Sequence, residues 1–169
     1  ILRSGLDRII LGQSVIESLD KSTLENNPLP VLYRLGWRVL DKMNCIKVNY
    51  WMVFTFYFYQ LSLRLGFMPN LKSCYKCKSI FSHAFIDDNT GELICPDCAS
   101  QSKQSLNKDS LIFLRKLENM HLDDIDIEMG NPIEMFNALR FLEIFNSFHL
   151  YGMNKVRSLD MAKNILKIN

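Results

Sequence analysis

The sequence is poor in the residues that punctuate a chain, with only 7 Gly and 5 Pro among 169 residues. That excludes a collagenous or low-complexity chain, where these residues are abundant or periodic. Charge of one sign is lacking as well. Twenty Lys and Arg stand against 18 Asp and Glu, a net charge of +2, so no strong overall field advertises a polyanionic partner. A secretory h-region is absent near the start, where Arg3, Asp7, Arg8, Glu17 and Asp20 interrupt the apolar residues. The most membrane-like run, Val48 to Leu63, is 16 residues long and contains Asn49, Thr55, Gln60 and Ser62. A spanning helix needs about 20 predominantly apolar residues, so this run reads as a buried helix. The Gly-rich phosphate loop, HExxH, GxSxG and the kinase motifs are all missing. His83, His121 and His149 have no evident nucleophile or carboxylate partner. The expectation is a protein that binds, not an enzyme.

What is present is a globular balance, 48% hydrophobic and 22% charged, at a length that matches one domain on the usual prior of roughly 100–200 residues. Helical periodicity dominates. Leu6, Ile9, Ile10, Ile16 and Leu19 predict a first helix over about 5–20. After a polar stretch, Pro28 and Pro30 sit where a second helix starts, and Leu32, Leu35, Val39, Leu40 and Met43 carry it over about 29–44. A third, over about 46–65, holds Tyr50, Trp51, Phe54, Phe56, Tyr57, Phe58 and Tyr59 on every side. A helix apolar all round is buried all round, so these aromatics read as core and not as base-stacking surface. Leu111, Leu114 and Leu117 mark a short helix, followed by an acidic loop from His121 to Gly130 with Asp123, Asp124, Asp126 and Glu128. Asn131-Pro132-Ile133-Glu134 has the pattern of a capped helix start. That helix runs through Phe136, Leu139, Leu142, Phe145 and Phe148, and Ser158 can cap a last one carrying Ala162, Ile165 and Leu166.

Four of the five cysteines form the strong chemical signal: Cys74-x2-Cys77, seventeen residues, then Cys95-x2-Cys98. Two residues between cysteines let both sulfurs of a turn face one point, and a hairpin that joins two such knuckles completes a tetrahedral thiolate cage. A disulfide pair needs an oxidising compartment, of which nothing here is a sign. A four-thiolate iron site uses similar spacing, but zinc is the expected ion, one per chain. Its role is structural, because four protein ligands leave no open position for water or substrate. Lys76 and Lys78 either offset the charge of the thiolates or are simply exposed. Cys45 reads as a small core residue. The expected fold class is mainly α: a helical bundle around a buried aromatic helix, with an inserted four-cysteine zinc-ribbon-like β-hairpin unit. The whole chain, 1–169, is expected to be one domain, with helices over 1–71, the insertion over 72–100 and helices again over 101–169.

Positive charge is concentrated early. Residues 1–73 carry nine Lys and Arg against five Asp and Glu, a net of +4, whereas residues 109–169 carry seven against nine. Arg34, Arg38 and Lys42 recur every fourth residue, which places them on one stripe of the second helix, turned away from Leu32, Val39 and Met43. Such a stripe tracks phosphates, or it is the solvated side of an amphipathic helix. Lys155 and Arg157 stand at the start of the last helix, where backbone amides favour an anion.

Four segments together resemble a known family. Leu65-Gly66-Phe67-Met68-Pro69-Asn70-Leu71 leads into the first knuckle, and Gly91-Glu92-Leu93-Ile94-Cys95-Pro96-Asp97-Cys98 forms the second. With Phe148-His149-Leu150-Tyr151-Gly152 and Val156-Arg157-Ser158, they resemble the C-terminal region of the RecO family of bacterial recombination mediators. In that family Gly commonly follows the first knuckle and a second Gly precedes the third cysteine; here those positions are Lys78 and Glu92. No run of short alternating strands occupies residues 1–70, so the chain looks like the helical and zinc-binding part of a RecO protein without its OB-fold. The resemblance implies binding of single- and double-stranded DNA, strand annealing, and loading of RecA together with RecR in the bacterial cytoplasm, at the nucleoid. It also implies that the helical part grasps the acidic, hydrophobic C-terminal tail of single-strand-binding protein. Arg64, Lys72 and Arg157, where helices meet loops, are the candidate partners of the tail carboxylates. The other reading is a zinc-ribbon interaction module of a different complex, with no direct DNA role.

Overall fold

A computed structural model describes residues 2–23, 29–45, 48–99, 104–126, 131–150, 152–153 and 156–166. Pro28, Glu128, Gly130, Tyr151 and Lys155, named above, lie outside the described residues, as do the side chains of Ala162, Ile165 and Leu166. Six helices are described: α1 Leu2–Ser22, α2 Pro30–Met43, α3 Tyr50–Arg64, α4 Lys108–Asn119, α5 Pro132–His149 and α6 Arg157–Leu166. Three short strands lie between α3 and α4: β1 Ala84–Ile86, β2 Leu93–Ile94 and β3 Ser105–Leu106. The mainly helical class and the inserted hairpin unit are as the sequence predicts. Among the described residues no helix is long and apolar enough to cross a membrane.

α3 is the post of the bundle, and α1, α2, α4 and α5 all pack on it. It starts at Tyr50 and not near 46, because the Asn49 side chain accepts the Met52 amide at 3.1 Å and caps the first turn. Every residue from Trp51 to Ser62 is buried. Full burial of a side chain such as Phe54 or Leu61, both 0% exposed, contributes roughly 1.5–3 kcal/mol. Of its buried polar groups, Thr55 returns its hydroxyl to the Trp51 carbonyl at 2.8 Å, and three others each reach a different neighbour. Tyr57 Oη lies 2.7 Å from Ser18 Oγ and donates to the Val15 carbonyl at 3.2 Å, both on α1. Gln60 Nε2 donates to the Leu117 carbonyl on α4 at 3.4 Å, and Ser62 Oγ donates to Asn146 Oδ1 on α5 at 2.5 Å.

Several local expectations are corrected. α1 buries Ile10, Leu11, Ser14, Val15 and Ser18, while Leu6, Ile9 and Ile16 are exposed. Two serines lie on its inner face and return their hydroxyls to the Ile10 and Val15 carbonyls, so the buried stripe is not the most apolar one. Cys45 is exposed: the buried face of α2 ends at Met43, and Cys45 follows the C-cap Asn44, outside the helix. Phe148, at the end of α5, is 48% exposed. The start of α5 matches its pattern, with Asn131 Oδ1 accepting the Ile133 amide at 3.0 Å and Asn131 Nδ2 donating to Glu134 at 3.2 Å. The start of α6 does not. Ser158 lies inside the helix, and the cap comes from Glu17 on α1, whose carboxylate accepts the Arg157 amide at 3.1 Å, the Ser158 amide at 3.0 Å and the Ser158 hydroxyl at 2.6 Å.

The three strands form one antiparallel sheet in the order β2-β1-β3. Phe85 pairs with Ile94 and Ile86 with Leu93, while Ala84 pairs with Leu106 and Phe85 with Ser105. β3 is a two-residue strand, too short for a period-2 pattern to reveal. The apolar side chains of this unit, including Leu71, Phe81, Ala84, Ile86, Leu93 and Leu106, belong to the same buried cluster as the helices.

Candidate metal centre and basic cleft

The β1–β2 hairpin places its two ends side by side, and the knuckles sit there. In the first, the Cys74 amide donates to the Ser79 carbonyl at 2.8 Å and the Lys78 amide to the Cys74 carbonyl at 3.0 Å. Lys78 closes this turn with φ = 64°, the one non-glycine residue with positive φ among those described. It stands where the resemblance places glycine, the residue that reaches this region without steric cost. In the second knuckle the Cys98 amide donates to the Cys95 carbonyl at 3.0 Å, in a 3₁₀ turn over Pro96–Cys98. The Tyr75 amide donates to the Leu93 carbonyl at 2.9 Å and ties one knuckle to the strand of the other.

The outcome is that Sγ of Cys74, Cys77, Cys95 and Cys98 all lie within 4.8 Å of one another, a set that can hold a metal ion. No disulfide joins any of the four. Cys74 and Cys95 are buried, Cys98 is half-buried and Cys77 is exposed. Burial pushes the Cys74 thiol up, but backbone amides of Cys77, Cys95 and Lys76 more than offset it, and the net shift is downward. The Cys77 thiol is lowered mainly by the Ser79 hydroxyl and amide. Cys98, crowded by the sulfurs of Cys77 and Cys95, is driven the other way. Amides that favour thiolate, on sulfurs too close for all to ionise alone, fit a bound cation. His83 takes no part: it is exposed, with its ring 5.0 Å from that of Phe85. Nor do the two lysines point their charge at the sulfurs. Lys76 Nζ pairs with Asp87 at 3.1 Å, and Lys78 Nζ donates to the Tyr75 carbonyl at 2.8 Å with the Tyr75 ring 5.1 Å away.

The unit is braced against the bundle from two sides, one of them through Arg115, which no sequence pattern singled out. Arg115 on α4 forks onto the Leu71 carbonyl, with Nε at 3.1 Å and Nη2 at 2.6 Å. On the other side Gly91, with φ = 71°, packs on α5 so closely that a Cβ there would lie 2.7 Å from the Phe148 ring and 3.3 Å from Phe145 Cα. Next to it Glu92 places Oε1 3.4 Å from Nε2 of His149. His149 therefore does have a carboxylate neighbour, and its ring also lies 4.2 Å from that of Phe145. Burial pushes the His149 imidazole down and the Glu92 carboxyl up.

The basic candidates fall into two groups. Arg34 and Arg38 of α2 and Arg64 of α3 come together along a cleft of about 530 Å³, whose apolar wall includes Val31, Leu35, Phe56 and Leu122. Arg38 pairs with Asp123 at 2.9 Å, and Lys42 Nζ donates to the Asp123 carbonyl at 2.9 Å, so the acidic 3₁₀ turn Leu122–Asp124 closes one end. Arg64 donates to the Gln60 carbonyl and to Gln60 Oε1. Burial, and then the Arg38 charge, pull the Arg64 guanidinium below its usual range. Lys72 and Arg157 stand elsewhere. Lys72 is exposed at the entry to the first knuckle, and Arg157 is exposed at an α6 start already filled by Glu17. Lys155 is not among the described residues.

The comparisons with known proteins agree with these parts. The family model "Recombination protein O C terminal" matches residues 3–159, a span that holds the whole bundle core and all four cysteines. The DNA repair protein RecO of Pelobacter propionicus is 30% identical over 105 residues, covering 60% of this chain and 42% of that protein. RecO of Syntrophomonas wolfei is 27% identical over 126 residues, covering 73% of this chain and 50% of that protein. RecO of Listeria monocytogenes is 23% identical over 163 residues, covering 90% of this chain and 62% of that protein. The chain thus spans roughly half the length of these relatives. With a model match over nearly its full length, running from α1 through the cysteine knuckles to the Glu17-capped start of α6, the chain belongs to the RecO family and corresponds to its C-terminal region.

Proposed function

We propose that this chain acts as a RecO-type mediator of DNA repair and homologous recombination, by binding and not by making bonds. In this reading it contacts DNA through the basic residues of its early helices, works with RecR and single-strand-binding protein to promote annealing and RecA loading, and does so in the bacterial cytoplasm, at the nucleoid. Cys74, Cys77, Cys95 and Cys98 hold one Zn2+. The ion supplies a cross-link that fixes the hairpin, and its four thiolates leave no place for substrate. Elemental analysis showing one zinc per chain checks the metal, whereas a coloured iron-bearing protein overturns it.

The observation that carries the partner reading is the cleft of Arg34, Arg38 and Arg64 over an apolar wall. The C-terminal tail of single-strand-binding protein, acidic and ending in an apolar residue, needs cations for its carboxylates and a pocket for its last side chain. Arginine suits the first role, because its planar fork bonds both oxygens of a carboxylate. Fluorescence anisotropy with a labelled tail peptide tests the reading. Saturable binding is expected, weakened by salt and by deletion of the terminal apolar residue. No saturation at protein concentrations of about 100 μM, a binding free energy of about −5.5 kcal/mol, by folded, zinc-loaded protein overturns it.

A further inference from the structure

The aromatic residues of α3 are core, but two other large rings are left in water on α2. Tyr33 is 71% exposed and Trp37 is 65% exposed. They are four residues apart, hence on one line of the helix with Cβ atoms about 6 Å apart. Arg34 and Arg38 occupy the adjoining line, and the buried residues Leu32, Leu35, Gly36, Val39 and Met43 face the other way. Among the described residues neither Tyr33 nor Trp37 meets another ring or a cation at stacking distance. Arg38 keeps 61% of its side chain exposed even while paired with Asp123. The helix carries three cations against the single carboxylate of Asp41, one turn beyond Trp37.

Aromatic platforms interleaved with cations are what a single strand requires, since every base has a face that stacks and every nucleotide brings a phosphate. A duplex hides its base faces, and a purely apolar partner gains nothing from the arginines. We infer that the outer face of α2 is a track for single-stranded DNA, in which Tyr33 and Trp37 stack on unpaired bases while Arg34 and Arg38 hold the phosphates. This rests on the nucleic-acid part of the proposed function and assigns that part a surface; Arg34 and Arg38 also line the cleft assigned to the acidic tail, so single strand and tail peptide compete for them.

The sequence supplies its own reporter. Of the 2 Trp residues, Trp51 is 8% exposed and Trp37 is 65% exposed, so a stacked base quenches the emission of Trp37 and leaves that of Trp51 unchanged. Titration with short oligothymidine at low salt is expected to quench the fluorescence. An abasic oligonucleotide of equal length, bound through phosphates alone, is expected to leave it unquenched. Trp37→Ala and Tyr33→Ala are each expected to weaken binding at least about fivefold, the lower end for loss of one stacked base, with unchanged circular dichroism. Trp37→Phe is expected to keep the affinity and lose the quench. DNA binding by anisotropy without any quench, or equal quenching by the abasic strand, overturns the stacking track and leaves the DNA-binding reading in place. No DNA binding at all overturns both.

Discussion

Lys78 holds φ = 64°, a conformation that costs a residue bearing a Cβ about 1–2 kcal/mol. Part of that cost is offset by what its side chain touches, the Tyr75 carbonyl and ring. An exposed cation–π contact is worth about 0.5–1 kcal/mol. Lys78→Gly is therefore expected to stabilise the first knuckle by about 0.5 kcal/mol net. Lys78→Ala, which keeps the strain and loses the contacts, is expected to destabilise it. Zinc retention against a competing chelator reads both, and opposite signs for the two variants are the expected outcome. The special nature of this position was legible in the sequence only as a lysine where the resembled family has glycine. His149 and Cys45 were not legible in that way. The partner of His149 lies on the hairpin, and whether Cys45 is covered depends on where α2 stops, which no spacing rule encodes.

At the scale of elements, α6 is secured at its start by a residue on another helix. Burial pushes the Glu17 carboxyl up, but the hydroxyl and amide of Ser158, the Arg157 amide and the Lys21 charge more than offset this and hold it below the usual carboxylate range. A carboxyl with a depressed folded-state value contributes stability that is fully present above its unfolded value, near 4.5, and is lost as pH falls through the folded one. The α6 docking is thus expected to weaken in acid below about pH 4.5, and Glu17→Gln is expected to remove that part of the pH dependence at a cost of about 1 kcal/mol at neutral pH. Thermal unfolding of wild type and variant across that range measures the difference. The helices themselves were well marked, because their periodicity and caps are local. The inner face of α1 was not, since Ser14 and Ser18 satisfy their hydroxyls on the backbone and pack where an apolar residue would be expected. The cap of α6 is hidden for a different reason: the acceptor, Glu17, lies 141 positions from Ser158 in sequence, beyond the reach of any local pattern.

For the whole molecule, the hairpin unit is more than a pendant. Its apolar side chains share one buried cluster with the helices, Arg115 anchors its entry, and Gly91 seats it on α5. Structural zinc in small isolated units supplies on the order of 10 kcal/mol of folding energy, yet here α1, α2 and α3 bury their own core. Removal of metal is expected to raise amide exchange through 72–99 and into the facing parts of α4 and α5, while α1 to α3 stay protected. Exchange measured by mass spectrometry before and after chelation checks this, and uniform loss of protection would show that the bundle is not independent. The cluster of four cysteines was the most legible feature of the sequence, because two knuckles state their geometry locally. The basic cleft was only half legible. The stripe of Arg34, Arg38 and Lys42 is a helical pattern, but Arg64 meets it only through packing, and Asp123 reaches Arg38 from 85 positions away.

Because α3 is apolar on every side, hydrophobic burial alone gives it no preferred rotation about its own axis: a turn of about 100°, one residue's worth of helix, exchanges one set of aromatic residues for another. Three of its polar side chains resolve that ambiguity, with Tyr57 keyed to α1, Gln60 to α4 and Ser62 to α5. A buried hydroxyl or amide left without its partner costs about 1–3 kcal/mol, so every misaligned azimuth leaves several such groups stranded at once. These side chains therefore act as an indexing pin. They add little to the depth of the native state and much to its singularity, and they set the angle at which every surrounding helix presents its outer face.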